Sequence, residues 1–194
     1  MSETDVQTQQ APAREFAVRP VGYVRAAYTQ PEDVAHTRQG WTADVSHIQI
    51  LPRYAGLLGG LTGYSHIIVL FWVHRAKEWK IPKGHRNEKP RHVKVFATRM
   101  PVRPNPIGMS VVELVDFSRE TGSVTVKGLD ALDGTPVLDI KPYISNFDSC
   151  PDATIPDWVA RHLESHLHSG RPHHLHHTHH GEDVGEAGKE GDEP

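Results

Sequence analysis

Seven short runs rich in β-branched and aromatic residues, set apart by Gly, Pro, Asn and Asp, constrain this chain more than any other feature. They are Phe16–Arg25 (FAVRPVGYVR), Ser46–Leu51 (SHIQIL), Tyr64–Val73 (YSHIIVLFWV), Val93–Thr98, Ser110–Phe117, Val124–Leu129 and Pro136–Ile140. Ser46–Leu51 alternates polar and apolar residues, the mark of a strand with one buried face. Tyr64–Val73 is nearly continuously apolar, as expected of a strand buried on both faces. Glu120-Thr121-Gly122 reads as a hairpin turn between two of the runs. Helical periodicity is confined to Pro156–His168, where Trp158, Val159 and Leu163 share a side, and to a shorter stretch near Tyr54–Leu58. Strands at this spacing, without helices between them, predict a mainly β barrel or sandwich with a few short helices rather than a parallel α/β sheet.

The 194 residues suit one domain with tails. Residues 1–15 lack any hydrophobic period and read as a disordered arm; they have neither the basic start nor the apolar core of a signal peptide. The folded body is expected over residues 16–152, a C-terminal helix over 153–170 and a His-rich, acidic, disordered tail over 171–194. No run approaches the roughly 18 apolar residues of a membrane helix. The single cysteine, Cys150, fits a reducing, cytoplasmic setting.

A net charge of -3 conceals a strong asymmetry. His74–Pro104 holds ten Lys and Arg against two acids, a local charge of +8, whereas Arg171–Pro194 carries -4. So concentrated a cationic segment attracts polyanions such as nucleic acid, although solubility alone also accounts for surface lysines.

Within the cationic segment lies VFATRMPVRPNPIGMS (Val95–Ser110). Pro101, Pro104 and Pro106 fix φ and lack a donor, so they end the strand and stiffen a loop that presents Arg99, Arg103 and Asn105. A rigid polar loop leaving an apolar strand is a common place for a site, and a plain surface turn is the competing reading. In GLDALDGTPVLDIKPY (Gly128–Tyr143), Asp130, Asp133 and Asp139 surround an Asp-Gly turn. Turn chemistry explains Asp133; the carboxylates also suit a ribose diol or a cationic group. His66 and His74 bracket the apolar run, where a histidine is more often a structural hydrogen-bonder than a catalyst. No glycine loop for dinucleotides, no GxSxG elbow and no HExxH pair is present.

Taken in order, VGYVR, GYSHIIVLFWVH, VFATRMPVRPNPIGMSVVEL and GLDALDGTPVLDIKPY resemble the TsaA-like, or TrmO, family of tRNA N6-threonylcarbamoyladenosine methyltransferases, over about Phe16–Asp152. The resemblance implies a single TsaA-like β-barrel domain, usually a homodimer, that binds S-adenosylmethionine without a Rossmann fold. It carries cofactor contacts to Arg38, Gln39 and Gly40 in an early loop, to Val73 and His74, to Arg99, to Ser110, and to Leu129, Asp130 and Ala131. The early loop departs from the family's pattern, HTRQGW standing where an arginine-glutamine-proline-glycine run is usual. Many bacterial members carry a second domain that helps engage tRNA, where this sequence offers a short helix and a tail.

Methylation of the weakly nucleophilic N6 of threonylcarbamoyladenosine calls for positioning and for a proton acceptor, with His74 and Asp139 the candidates and Arg103 and Asn105 the expected substrate-positioning residues. Alternatives are a methyltransferase of this fold acting on another acceptor, a metal-binding accessory protein, and a non-enzymatic RNA binder. The metal reading rests on nine histidines between His162 and His180. His162 and His166 stand one helical turn apart, and His173, His174, His176, His177, His179 and His180 form a dense run suited to adventitious transition-metal binding.

Overall fold

The computed structural model describes residues 15–30, 44–78 and 93–168. Six strands, β1 (Gly22–Arg25), β2 (Val45–Ile50), β3 (His66–Trp72), β4 (Ile107–Ser118), β5 (Ser123–Lys127) and β6 (Pro136–Pro142), close into a barrel in the order β1-β2-β5-β4-β3-β6. Every neighbouring pair is antiparallel. Closure leaves no edge strand to template aggregation.

Strand alternation sets the core. Val24, Ile48, Ile50, Ile67, Val69, Phe71, Val112, Val124, Val126 and Val137 point inward and are buried. Most are β-branched, which suits a pleated wall with stiff side chains. Each fully buried Val or Ile contributes roughly 1.5–3 kcal/mol relative to leaving it in water. In β3 only Ile67, Val69 and Phe71 are fully buried, and the outward residues His66, Ile68, Leu70 and Trp72 are half-buried. The continuous apolar run is therefore a one-sided strand whose outer face is also apolar.

Gly108 shows how tightly the wall is packed. It pairs with Phe71, whose ring lies so close that a Cβ at Gly108 would fall 2.2 Å from Cε2. Two bulges bend the sheet, one at Leu114/Asp116 of β4 and one where β3 and β6 shift register between Leu70 and Phe71.

Some elements differ from the sequence reading. The run from Phe16 is paired as a strand only from Gly22, and Phe16 itself is exposed. Val93–Thr98 is not a strand: Val95–Ala97 forms a 3-10 turn, closed by the Thr98 amide and hydroxyl donating to the Val95 carbonyl. With the prolines following, the segment has no partner strand to join. The stretch near Tyr54 is a 3-10 helix over Pro52–Leu58. Beyond β6, α1 (Ser145–Asp148) and α2 (Asp157–His168) follow. Gly122, at φ 69°, closes the expected β4–β5 hairpin.

Antiparallel closure has one consequence for function. The carboxyl ends of β1, β3 and β5 and the amino ends of β2, β4 and β6 all lie at the same rim. The β1–β2, β3–β4 and β5–β6 connections, which carry the cationic loop and the aspartate block, therefore leave the barrel together.

Candidate active site

His74 stands just past the end of β3, at this rim. Its Nδ1 lies 3.3 Å from Thr135 Oγ1, at the foot of β6, so the β3–β4 and β5–β6 connections meet through this pair. Thr135 is buried, which fixes the anchor. Desolvation, and secondarily the neighbouring Arg75 guanidinium, push the His74 imidazole below its ordinary value, against a smaller opposing pull from Glu78. The ring is thus neutral at neutral pH, the state required of a proton acceptor.

Arg75 ties the third connection to the other two. It donates to the Thr29 carbonyl (2.5 Å), to Gln30 Oε1 (2.8 Å) and through Nε to Glu78 Oε2 (2.7 Å). The Tyr28 hydroxyl donates to Asp44 Oδ2, so the two ends of the β1–β2 connection are clasped. Asp133 joins in from the aspartate block: its Oδ1 accepts from the Ala26 amide (3.2 Å), and its own amide donates to the Tyr28 carbonyl (2.7 Å). Gly134, at φ 75°, completes that turn. Asp133 is thereby structural. Arg75, Glu78, Tyr28, Asp44 and Thr135 were not singled out from sequence, because their partnerships cross between segments distant along the chain.

Asp130 behaves differently from Asp133. Its flanking residues Leu129 and Ala131 are buried in the core, while its own side chain keeps contact with solvent. Dense surrounding protein nevertheless raises its carboxyl above the ordinary carboxylate value, through desolvation alone. Among the described residues no donor pairs with it, which leaves its oxygens open to a ligand.

The proline loop is held by Arg103, whose Nη1 donates to the carbonyls of Thr98 (2.8 Å) and Met100 (3.2 Å). Arg103 therefore braces the loop through Nη1. The Val73 amide donates to the Pro106 carbonyl (2.7 Å), stitching the loop's end to the residue before His74. Arg99 is exposed and no acceptor engages it among the described residues. Asn105 is exposed, its carbonyl accepting from the Ile107 amide (2.8 Å). Ser110, on β4, pairs with Val69 of β3 and shares the inward face with Gly108 and Val112.

Asp139 is not brought to this group. It pairs with Leu70 on the outer wall of the barrel and forms an ion pair with Lys141 at 2.5 Å. Strict alternation from Val137 would have turned it inward, but the bulge reverses it. Of the two residues expected as proton acceptors, only His74 lies at the rim. Arg38, Gln39 and Gly40 lie outside the described residues, as do His173, His174, His176, His177, His179 and His180. Among the described residues no group of three or more His, Cys, Asp or Glu could hold a metal ion. An open depression of about 710 Å³, lined by Gly56, Phe117, Ser118, Arg119 and Glu120, lies at the opposite rim, away from all of these groups.

Comparison with known proteins bears on the same body of the chain. Residues 23–149 match the model of the tRNA-methyltransferase O N-terminal domain. A probable S-adenosyl-L-methionine-binding protein of Methanothermobacter thermautotrophicus is 42% identical over 139 residues, spanning 70% of this chain and 95% of that protein. The tRNA (adenine(37)-N6)-methyltransferase of Escherichia coli is 36% identical over 146 residues, and the match covers 72% of this chain but 62% of that enzyme. A crystal structure of TrmO from Pseudomonas aeruginosa superposes with a TM-score of 0.59 at 35% identity, covering 73% of this chain and 62% of that one. With 127 consecutive positions (residues 23–149) inside the family model, and its barrel shared with solved TrmO structures, this chain belongs to the tRNA-methyltransferase O N-terminal domain family.

Proposed function

We propose that this protein is an S-adenosylmethionine-dependent methyltransferase that methylates N6 of threonylcarbamoyladenosine beside the anticodon of tRNA. The observation that supports the reading is that His74, Arg99 and Asp130 lie on connections leaving the same rim, fastened to each other by His74–Thr135 and Arg75–Thr29, with Val73–Pro106 closing the β3–β4 connection on itself. The donor set fits the cofactor. The unpartnered Asp130 carboxylate suits ribose hydroxyls, an amino group or a sulfonium charge, Leu129, Ala131 and Val73 offer apolar surface, and Arg99 suits a carboxylate. When bound, S-adenosylmethionine supplies a methyl group made electrophilic by its sulfonium.

The chain's own residues do the rest. With Nδ1–H donating to Thr135 Oγ1, His74 presents the Nε2 lone pair, which takes the proton leaving N6 of the acceptor. Asn105 contributes a further polar contact on a loop that Arg103 keeps rigid. Ser110 and the early-loop residues Arg38, Gln39 and Gly40 complete the cofactor contacts.

A cytoplasmic location follows from a tRNA substrate, and no helix among the described residues is long and apolar enough to cross a membrane. The functional body is residues 16–152, with the helix at 153–170 and flanking tails dispensable for chemistry. A homodimer is supported by three successive apolar cross-strand pairs on the barrel's outer wall, Ile68–Val111, Leu70–Met109 and Trp72–Ile107, of which Val111, Met109 and Ile107 are 41–51% exposed. The histidine tail takes up transition metals adventitiously.

Mass spectrometry of tRNA nucleosides after incubation with the protein and methyl-labelled cofactor tests the reading. Label is expected on N6 of threonylcarbamoyladenosine. Label on a different nucleoside would replace the acceptor, and absence of label with every tRNA would refute the enzyme.

A further inference from the structure

Phe96 is the unexplained residue of the cationic loop. It is 82% exposed, on a 3-10 turn, and no ring or cation packs on it among the described residues. A phenyl ring left in water forgoes about the whole of its burial free energy. The turn that carries it is nonetheless well fastened. Thr98 Oγ1 donates to the Val95 carbonyl (2.9 Å), and Arg103 donates to the carbonyls of Thr98 and Met100 (2.8 and 3.2 Å). Buried Val93 lies on the N-terminal side of the turn. The ring is therefore presented by a braced loop rather than hanging from a loose one.

Its neighbours are cationic. Lys94 and Arg99 are both exposed on the same short stretch. The segment His74–Pro104 has a net charge of +8 by sequence. The far end of the loop is stitched to Val73, one residue before His74, by the Val73 amide and the Pro106 carbonyl (2.7 Å). An exposed flat ring between positive charges, on a rigid loop rooted at the catalytic rim, matches what single-stranded RNA needs. Unpaired bases stack on an aromatic face while Lys and Arg hold the phosphates. An apolar protein partner would fit the ring but not the surrounding charge, and a duplex would offer no free base face.

We propose that Phe96 is a stacking platform for an unpaired base of the RNA substrate, one that neighbours the acceptor nucleotide. The inference rests on the methyltransferase reading and extends it to a residue of the RNA contact. An enzyme acting on a purine within a stacked loop must separate it from its neighbour. Phe96 takes over the lost stacking partner, and Lys94 fixes the flanking backbone.

The test compares the wild-type chain with Phe96→Ala, Phe96→Leu and Phe96→Trp. Affinity for a fluorescent anticodon stem-loop RNA, affinity for S-adenosylmethionine, melting temperature and oligomeric state are measured for each. Phe96→Ala and Phe96→Leu are expected to weaken RNA binding about tenfold, the range found for loss of one stacked base. Phe96→Trp keeps it, and cofactor affinity and melting temperature stay at the wild-type values in all three. Wild-type RNA affinity in Phe96→Ala overturns the platform. Full retention by Phe96→Leu also overturns it, since it assigns the ring to plain apolar packing, as does a change of oligomeric state. A wild-type chain that binds the cofactor but no RNA refutes the substrate assignment itself, a failure distinct from that of the ring.

Discussion

At one rim of the barrel the strands are joined by compact turns: the 3-10 helix Pro52–Leu58, the positive-φ Gly60 and Gly63, and the β4–β5 hairpin closed by Gly122. Polar side chains there are spent on the turn itself, as when Gln49 Nε2 donates to the Thr121 carbonyl at 2.8 Å. At the other rim the connections are fastened to one another, through Arg75, Asp133 and the His74–Thr135 pair, while the Val73–Pro106 bond closes the β3–β4 connection on itself. That fastening leaves three groups of different chemistry facing outward: the second ring nitrogen of His74, the Arg99 guanidinium and the Asp130 carboxylate. One end is thus built to close the barrel and the other to hold something. Polar groups without partners cost stability, and they are found at the end where a ligand can supply the missing partner.

The largest effect expected from this asymmetry is at His74. Replacement by Ala should lower the methylation rate constant by about 10²–10³, the usual contribution of a general base, with tRNA affinity unchanged. Replacing Arg119 at the opposite rim should leave the rate alone, and equal losses at both would erase the contrast. The pH profile carries a sign. Because burial and Arg75 lower the His74 pKa below its ordinary value, the wild-type rate should fall toward acid with a midpoint below that of a free imidazole and level off as pH rises.

Gly108→Ala should come next, at about 1–3 kcal/mol of stability, because the Phe71 ring occupies the space a Cβ needs. Thermal unfolding measures it. Gly108 is the second residue of β4, at the rim that bears His74, so cofactor affinity should fall with it. A smaller change is expected of Asp130→Asn. Desolvation raises the Asp130 carboxyl, so the folded state holds its proton longer than the unfolded chain and stability is lost as pH rises through the raised value. The variant should therefore melt higher than wild type at neutral pH, match it in acid, and bind S-adenosylmethionine more weakly. The smallest effect is that of removing residues 171–194, which should leave turnover at the wild-type level in a steady-state assay.

Much of this was legible in the sequence because it is periodic. Alternation in Ser46–Leu51 places Ile48 and Ile50 in the core, and the Glu120–Gly122 hairpin follows from its turn residues. The segments expected to bear the site do leave one rim, since antiparallel closure brings alternate connections together. Individual side chains were less legible. The bracing role of Arg103 had no signature, because sequence does not show that the carbonyls of Thr98 and Met100 lie within its reach. Asp139 read as a base because the bulge between Leu70 and Phe71, which turns it outward to Lys141, leaves no signature in the chain. Val93–Thr98 has strand composition, but composition cannot supply a neighbouring strand.

The central claim is that the rim bearing His74, Arg99 and Asp130 is where the methyl donor binds. Titrating isotopically labelled protein with S-adenosylmethionine and following amide chemical shifts tests it most directly. The account predicts saturable shifts at Val73, His74, Leu129, Asp130, Ala131 and Thr135, with Phe117–Glu120 unmoved. Shifts centred on the depression at the opposite rim, with the His74 rim silent, would contradict it.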